Sequence, residues 1–226
     1  MVSMETLRRL GFQPGCLVET VLATYTPGGK PHAAPMGVRL LEDGRLRITP
    51  YLQTQTYRNL KASPACTVNL TWSPEIFFQT AFKGELEEKL PGDFFLPALK
   101  VRAPRLRRAE GWLEVEASLE GEDREKAYFK GEIVAVYPVK RRLKAYCRGD
   151  FAAIESIIHA TRVLEFTSKG EWLKAEKLLR LMLGYRNLIG RVAPNSEASQ
   201  VIETVSYTHL RAHETEADLV CRLLLE

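Results

Sequence analysis

The sequence predicts an α+β protein: an antiparallel β-barrel, closed or split, followed by a small helical segment. Two observations carry this. Through residue 138 apolar residues recur at about every second position, in short runs bounded by Pro, Gly, Asp and Asn turns. From Asp150 the period lengthens to that of amphipathic helices. Six or seven short antiparallel strands close more readily than they form an open sheet, because closure removes unpaired edges.

The first strand runs from Leu17 to Tyr25, with Val18, Thr20, Leu22 and Thr24 alternating against Glu19, Val21 and Ala23. Thr26-Pro27-Gly28-Gly29 is a hairpin loop into a second strand, Lys30 to Val38. Glu42-Asp43-Gly44 turns into the third, Arg45 to Thr49. A short helix fits Gln53 to Ala62, ended by Ser63-Pro64, and Ala65 to Thr71 is the next strand. Residues 75–108 are less regular, and Glu85 to Gly92 reads as a polar surface loop. Alternation resumes over Trp112 to Leu119, and a last strand fits Ala127 to Tyr137. Asp150 then caps a helix with Ile154, Ile157, Ile158 and Leu164 among its apolar positions. Gly170 interrupts it. A second helix spans Glu171 to about Val192, with Trp172, Leu179, Met182, Leu183 and Ile189 near one face, and Pro194-Asn195-Ser196 introduces a third.

At 226 residues and 45% hydrophobic content the chain can bury a substantial core. It has no apolar run of bilayer length, and Met1 to Glu5 lacks the order of a signal peptide. The widely spaced Cys16, Cys66, Cys147 and Cys221 fit a reducing cytoplasm, without metal-ligand spacing. Net charge is a mild +4. The basic runs at Arg102 to Arg108 and Lys140 to Lys144 read as solvated faces, since no base-stacking aromatics interleave them, so no nucleic-acid partner is expected.

Residues 205–226 read as a translated sequencing adapter. Val205 to Thr215 matches a transposase-type adapter codon by codon, and Leu219 to Leu225 matches the flanking adapter. Glu216 to Asp218 fall in the variable index between them. A genuine C-terminal helix is the competing reading. Without this stretch the chain carries 30 basic and 24 acidic groups, a net of +6. His209 and His213, at helical spacing beside Glu214, then carry no zinc expectation. With His32 and His159 remaining, no histidine-rich metal site is expected. The domain expectation is a barrel over 10–145, a helical subdomain over 146–204, and a non-native tail.

The chemistry concentrates in residues 17 to 70. Ala33-Ala34-Pro35-Met36-Gly37 puts small side chains on a strand that a proline partly frees from pairing, which suits a flat, mostly apolar ring. Thr54, Gln55 and Thr56, at the start of a short helix, offer hydroxyl, amide and backbone donors to a phosphate, with Arg58 or Lys61 adding charge. That is the layout of a flavin mononucleotide (FMN) site. The same features also fit an ordinary barrel in which Pro35 marks a bulge and the threonines cap a helix.

A resemblance bears on the choice. His32 to Val38, Thr56-Tyr57-Arg58-Asn59-Leu60 and Val68-Asn69-Leu70 together resemble the FMN-binding split-barrel superfamily, and within it the domain-of-unknown-function family 447. Ala103-Pro104-Arg105-Leu106, Ala109 to Glu114 and Ile154 to Arg162 are similar to that family too. The resemblance implies a Greek-key FMN-binding split barrel with a helical C-terminal extension, forming a homodimer with FMN near the interface. It implies that Ala34, Pro35, Met36 and Gly37 lie along the flavin ring. Thr54, Gln55, Thr56, Tyr57 and Asn59 would then lie at the phosphate and ribityl chain. Leu52-Gln53 stand where the family often has a Lys or Arg, leaving Arg47 or Arg58 to substitute.

Glu155, His159 and Arg162 form a second constellation. Their spacing puts them on one helical face, where a His between an acid and a base can relay protons and Arg162 can receive an anion. A surface charge ladder beside a packed histidine is the plainer reading. The function expected is an FMN-dependent oxidoreductase moving electrons or hydride between a reduced donor and a small molecule, and the resemblance adds a tetrahydromethanopterin-linked setting. A non-catalytic flavin carrier, an assembly partner, or a barrel that has lost its ligand are the alternatives.

Overall fold

The computed structural model describes residues 2–82, 92–138 and 147–211, with side chains to 205. The described residues fall into two compact units: 2–71 with 92–138, and 72–82 with 147–211.

The first unit is a six-stranded antiparallel barrel. Its strands are β1 (Leu17–Tyr25), β2 (Pro31–Leu40), β3 (Leu46–Ile48), β4 (Ala65–Leu70), β7 (Gly111–Glu122) and β8 (Ala127–Pro138), closed in the order β1-β2-β3-β8-β7-β4. Between β4 and β7 a small hairpin, β5 (Phe95–Pro97) and β6 (Pro104–Leu106), pairs only with itself. Helix α1 (Met4–Arg9), capped by Ser3, precedes the barrel, and α2 (Gln55–Ala62) lies between β3 and β4. Alternation explains the core. Leu22, Val38, Leu40, Leu46, Val68 and Leu113 face inward and are fully buried, each contributing about 1.5–3 kcal/mol. Gly131 on β8 is required by close approach: a Cβ there would lie 2.6 Å from Val115 Cγ1.

The second unit is helical: α3 (Pro74–Ala81), α4 (Arg148–Ser168), α5 (Trp172–Val192) and α6 (Glu197–Arg211). Its centre is built from Ala152, Ala153, Ile189, Ala198 and Ile202. The small residues let helices approach closely, and a Cβ on Gly149 would sit 2.6 Å from that of Ala193. Glu197 ties α3 to α6, accepting from Ser73 Oγ at 2.6 Å and Glu75 N at 2.9 Å.

The six barrel strands and α2 match the sequence expectation to within a few residues, and the irregular region resolves into α3 and the β5–β6 hairpin. Two details differ. Asp150 lies inside the first turn of α4, whose N-cap is Cys147. Trp172 is half exposed rather than packed, while Met182 and Ile189 are buried. Gly170 ends α4 at φ 71°, a conformation glycine adopts without strain. α6 continues to Arg211, and residues 212–226 lie outside the described residues, as does nearly all of the 85–92 loop. No described helix is long and apolar enough to cross a membrane.

Candidate functional site

β2 is paired with β1 over all but its last residue, from Pro31↔Tyr25 to Arg39↔Leu17. On its other side it pairs with β3 only at Val38, Arg39 and Leu40. β3 therefore leaves the 31–37 stretch of β2 uncovered in an otherwise closed barrel. The expected ring-binding residues occupy that edge: Ala34, Pro35, Met36 and Gly37 are all partly buried. Pro35 lacks an N–H, so this edge pairs poorly with another strand. Thr20 Oγ1 donates to Met36 O at 2.8 Å and fixes the strand from the barrel side.

Beside this edge, α2 packs on β1 and β2. Thr54 is its N-cap: its hydroxyl donates to Tyr51 O at 2.7 Å and accepts from Tyr57 N at 3.3 Å. That leaves the N–H groups of Gln55 and Thr56 without partners among the described residues, at the positive end of the helix. The Thr56 side chain is only 2% exposed and makes no hydrogen bond with a described residue. Two backbone donors and one hydroxyl are thus gathered in a single turn.

The other expected phosphate residues do different work. Asn59 is fully buried, donating to Thr24 Oγ1 at 2.9 Å and accepting from Gln55 Nε2 at 2.7 Å. Its amide nitrogen thereby seats α2 on β1, and its oxygen is used within the helix. Tyr57 donates to Glu122 Oε1 on β7 at 2.7 Å and accepts from Lys61 Nζ at 2.7 Å. The bonds from Tyr57 and Glu122 raise the Lys61 pKa, and those from Tyr57 and Lys61 lower that of Glu122. Lys61 is committed there. Arg47 is likewise held by Glu120 at 2.9 Å. Arg58 is exposed and, among the described residues, is bound only to Gln53 O, at 3.2 Å, just before the start of α2. Thr20, Thr24 and Glu122 escaped the sequence reading. For the two threonines the one signal is a hydroxyl where strand alternation calls for an apolar side chain, and Glu122 gives none.

Glu155, His159 and Arg162 lie on α4, in the helical unit. Glu155 and Arg162 are exposed, and among the described residues no hydrogen bond or ion pair joins the three. His159 is half-buried, 5.9 Å from the Tyr185 ring, and its Nδ1 is buried without a partner. Burial holds its pKa below the ordinary 6.5, with Glu155 opposing and Arg162 reinforcing that shift.

The family profile described as protein of unknown function (DUF447), N-terminal domain, matches residues 18–138. Among solved structures, an FMN-bound protein from Methanosarcina mazei, itself assigned to DUF447, aligns with a TM-score of 0.72 at 21% identity. The alignment covers 89% of this chain and 99% of that one. A flavoredoxin from Methanosarcina acetivorans aligns at 0.47, with 19% identity over 57% of this chain and 72% of its own. A flavin reductase solved with NADP+ aligns at 0.49, with 15% identity over 62% and 90%. The last two overlap too loosely to carry an argument, whereas the first shares the fold over nearly its whole length. With the profile spanning more than half of the sequence, this chain belongs to the DUF447 family.

Proposed function

We propose that the protein is an FMN-binding flavoprotein acting as an oxidoreductase between a reduced donor and a small molecule. One observation carries the reading: the open, small-residue edge of β2 lies beside a helix start whose free donors match a phosphate. The FMN-bound state of the Methanosarcina mazei relative, whose fold this chain shares, supports it.

The residues fit the group. Ala34 leaves room for a flat ring, and the backbone of 34–37 on the side that β3 does not cover offers polar groups to its rim. Gln55 N, Thr56 N and Thr56 Oγ1 receive the phosphate, with Arg58 offsetting its charge. Bound FMN supplies the hydride- or electron-accepting chemistry, and the protein supplies position and polarity. Leu17, 49% exposed, has its Cδ1 2.9 Å from where a Gly37 Cβ would stand. So large an apolar group at the rim supports a second copy covering this edge, hence a homodimer. The widely spaced cysteines support a cytoplasmic setting, and the family resemblance a tetrahydromethanopterin-linked one.

Purified protein carries, or takes up on addition, a flavin absorbance band that denaturation releases. A protein that stays colourless and fails to bind added FMN contradicts the proposal. Anaerobic bleaching by NADH or NADPH supports the oxidoreductase, and retention of flavin without bleaching by either favours a carrier.

A further inference from the structure

Over the outer face of β7 lies an arginine of β6 that no described residue meets with a hydrogen bond or ion pair. Arg105, in the middle of β6, lays its guanidinium over the Trp112 indole, 4.2 Å from the ring centroid. Trp112 is backed in turn by Tyr137, its partner in the β7–β8 register, with centroids 4.9 Å apart and planes at 19°. The neighbours on either side of Arg105 are clamped to β4. Thr67 Oγ1 donates to Pro104 O at 2.6 Å, and Leu106 N donates to Asn69 Oδ1 at 2.9 Å. The guanidinium is therefore held on a rigid strand rather than a free loop.

The nearby charges are spoken for. Glu114 is fully buried. Its Oε1 accepts from Leu99 N at 2.7 Å and Trp112 Nε1 at 3.1 Å, and its Oε2 from Lys100 N at 2.5 Å and Val101 N at 3.1 Å. Burial alone would raise this carboxyl, yet the four donors hold it below the usual carboxylate range. Arg107 is turned to Asp93, bonding its carbonyl at 2.8 Å and its carboxylate at 3.3 Å. Arg105 Nε is sealed from solvent without a partner, while its terminal nitrogens reach the surface and meet no acceptor among the described residues. Burial is the main influence disfavouring its charged form, with the Glu114 charge opposing and Arg107 reinforcing it. Stacking on Trp112 offsets the charge along the ring normal, but the N–H groups point in the guanidinium plane and the stack leaves them unmet.

We propose that Arg105, braced by Trp112 and Tyr137, is a receptor for a small oxyanion, a carboxylate or phosphoryl group taken by its two terminal nitrogens. A planar, pre-oriented fork with uncommitted donors is what two-pronged recognition of such groups requires. The site is separate from the β2 edge. Pro35, Val21, Asn69 and Trp112 are successive register partners across four strands, which places Trp112 about 14 Å along the sheet from Pro35. It does not depend on the flavin reading.

Trp112 is a built-in reporter once Trp72 and Trp172, both about half exposed, are replaced by Phe. Inorganic phosphate and acetate are titrated separately into that protein against chloride at matched ionic strength. A saturable change in Trp112 emission with phosphate, acetate or both is expected, and the more effective anion identifies the group. Arg105→Gln weakens it at least tenfold. Arg105→Lys also weakens it, because an ammonium lacks the fork. The proposal is overturned if neither anion gives a response beyond chloride, or if Arg105→Gln binds as the parent does. A lowered melting temperature of Arg105→Gln without any anion response in the parent marks Arg105 as a stacking brace only.

Discussion

The start of α2 and the middle of α4 look alike in the sequence and differ in the structure. Each places several polar residues at helical spacing. At α2, four strands and loops converge on the helix: Thr24 from β1, Glu122 from β7, Tyr51 from the preceding loop, and the open edge of β2. Most of its polar groups are used to hold it still. Those left over, two N–H groups and the Thr56 hydroxyl, lie within one turn. At α4, Glu155, His159 and Arg162 share a face, but no hydrogen bond joins them and two of the three stand in solvent. A shared helical face follows from spacing alone, whereas a site needs groups from separate elements held in one place.

Substitutions test that contrast. The largest effect is expected from Asn59→Ala, which leaves Thr24 unmatched and opens a cavity beneath α2. A loss of about 2–3 kcal/mol appears as a melting temperature lower by roughly 5–10 °C, together with loss of FMN binding. Thr56→Ala keeps the helix and removes one donor to a charged group. FMN binding weakens roughly 10- to 100-fold at nearly unchanged stability, and unchanged affinity would remove Thr56 from the phosphate site.

His159 provides the counterpart on α4. Because its pKa is depressed on folding, the unfolded chain binds the proton first as pH falls through 6.5. Its contribution is present above that value and lost below it, down to the lower pKa of the folded state. His159→Phe flattens the acid side of the stability–pH curve and leaves FMN affinity unchanged. A loss of flavin would return α4 to the functional account. The smallest effect is Glu155→Gln: removing the charge that opposes burial moves the His159 titration, followed by NMR, to still lower pH.

The barrel was legible because alternation and turn residues are local signals. Leu17 to Tyr25 and Ala65 to Thr71 were found almost residue for residue. The β5–β6 hairpin was not, since its strands are three residues long and its position is set by Thr67 and Asn69 of β4. For the candidate site, spacing singled out Ala34 to Gly37 and the Thr54–Thr56 loop, which lie on the stretch of β2 that β3 leaves uncovered and at the start of α2. Asn59 and Tyr57 carry the same kinds of polar group as Thr56, and their bonds to Thr24 and Glu122, tens of residues away in the chain, are invisible to local spacing. Arg58, one turn into the helix, reaches back to Gln53 O, a contact that the Leu52-Gln53 pair by itself does not announce.

The most direct test is amide hydrogen exchange of the flavin-free protein with and without FMN. Protection is expected in peptides covering 31–37 and 54–57, with His159 and the rest of α4 unchanged. Protection confined to other segments, or none at saturating FMN, contradicts the assignment of the β2 edge and the start of α2 as the cofactor site.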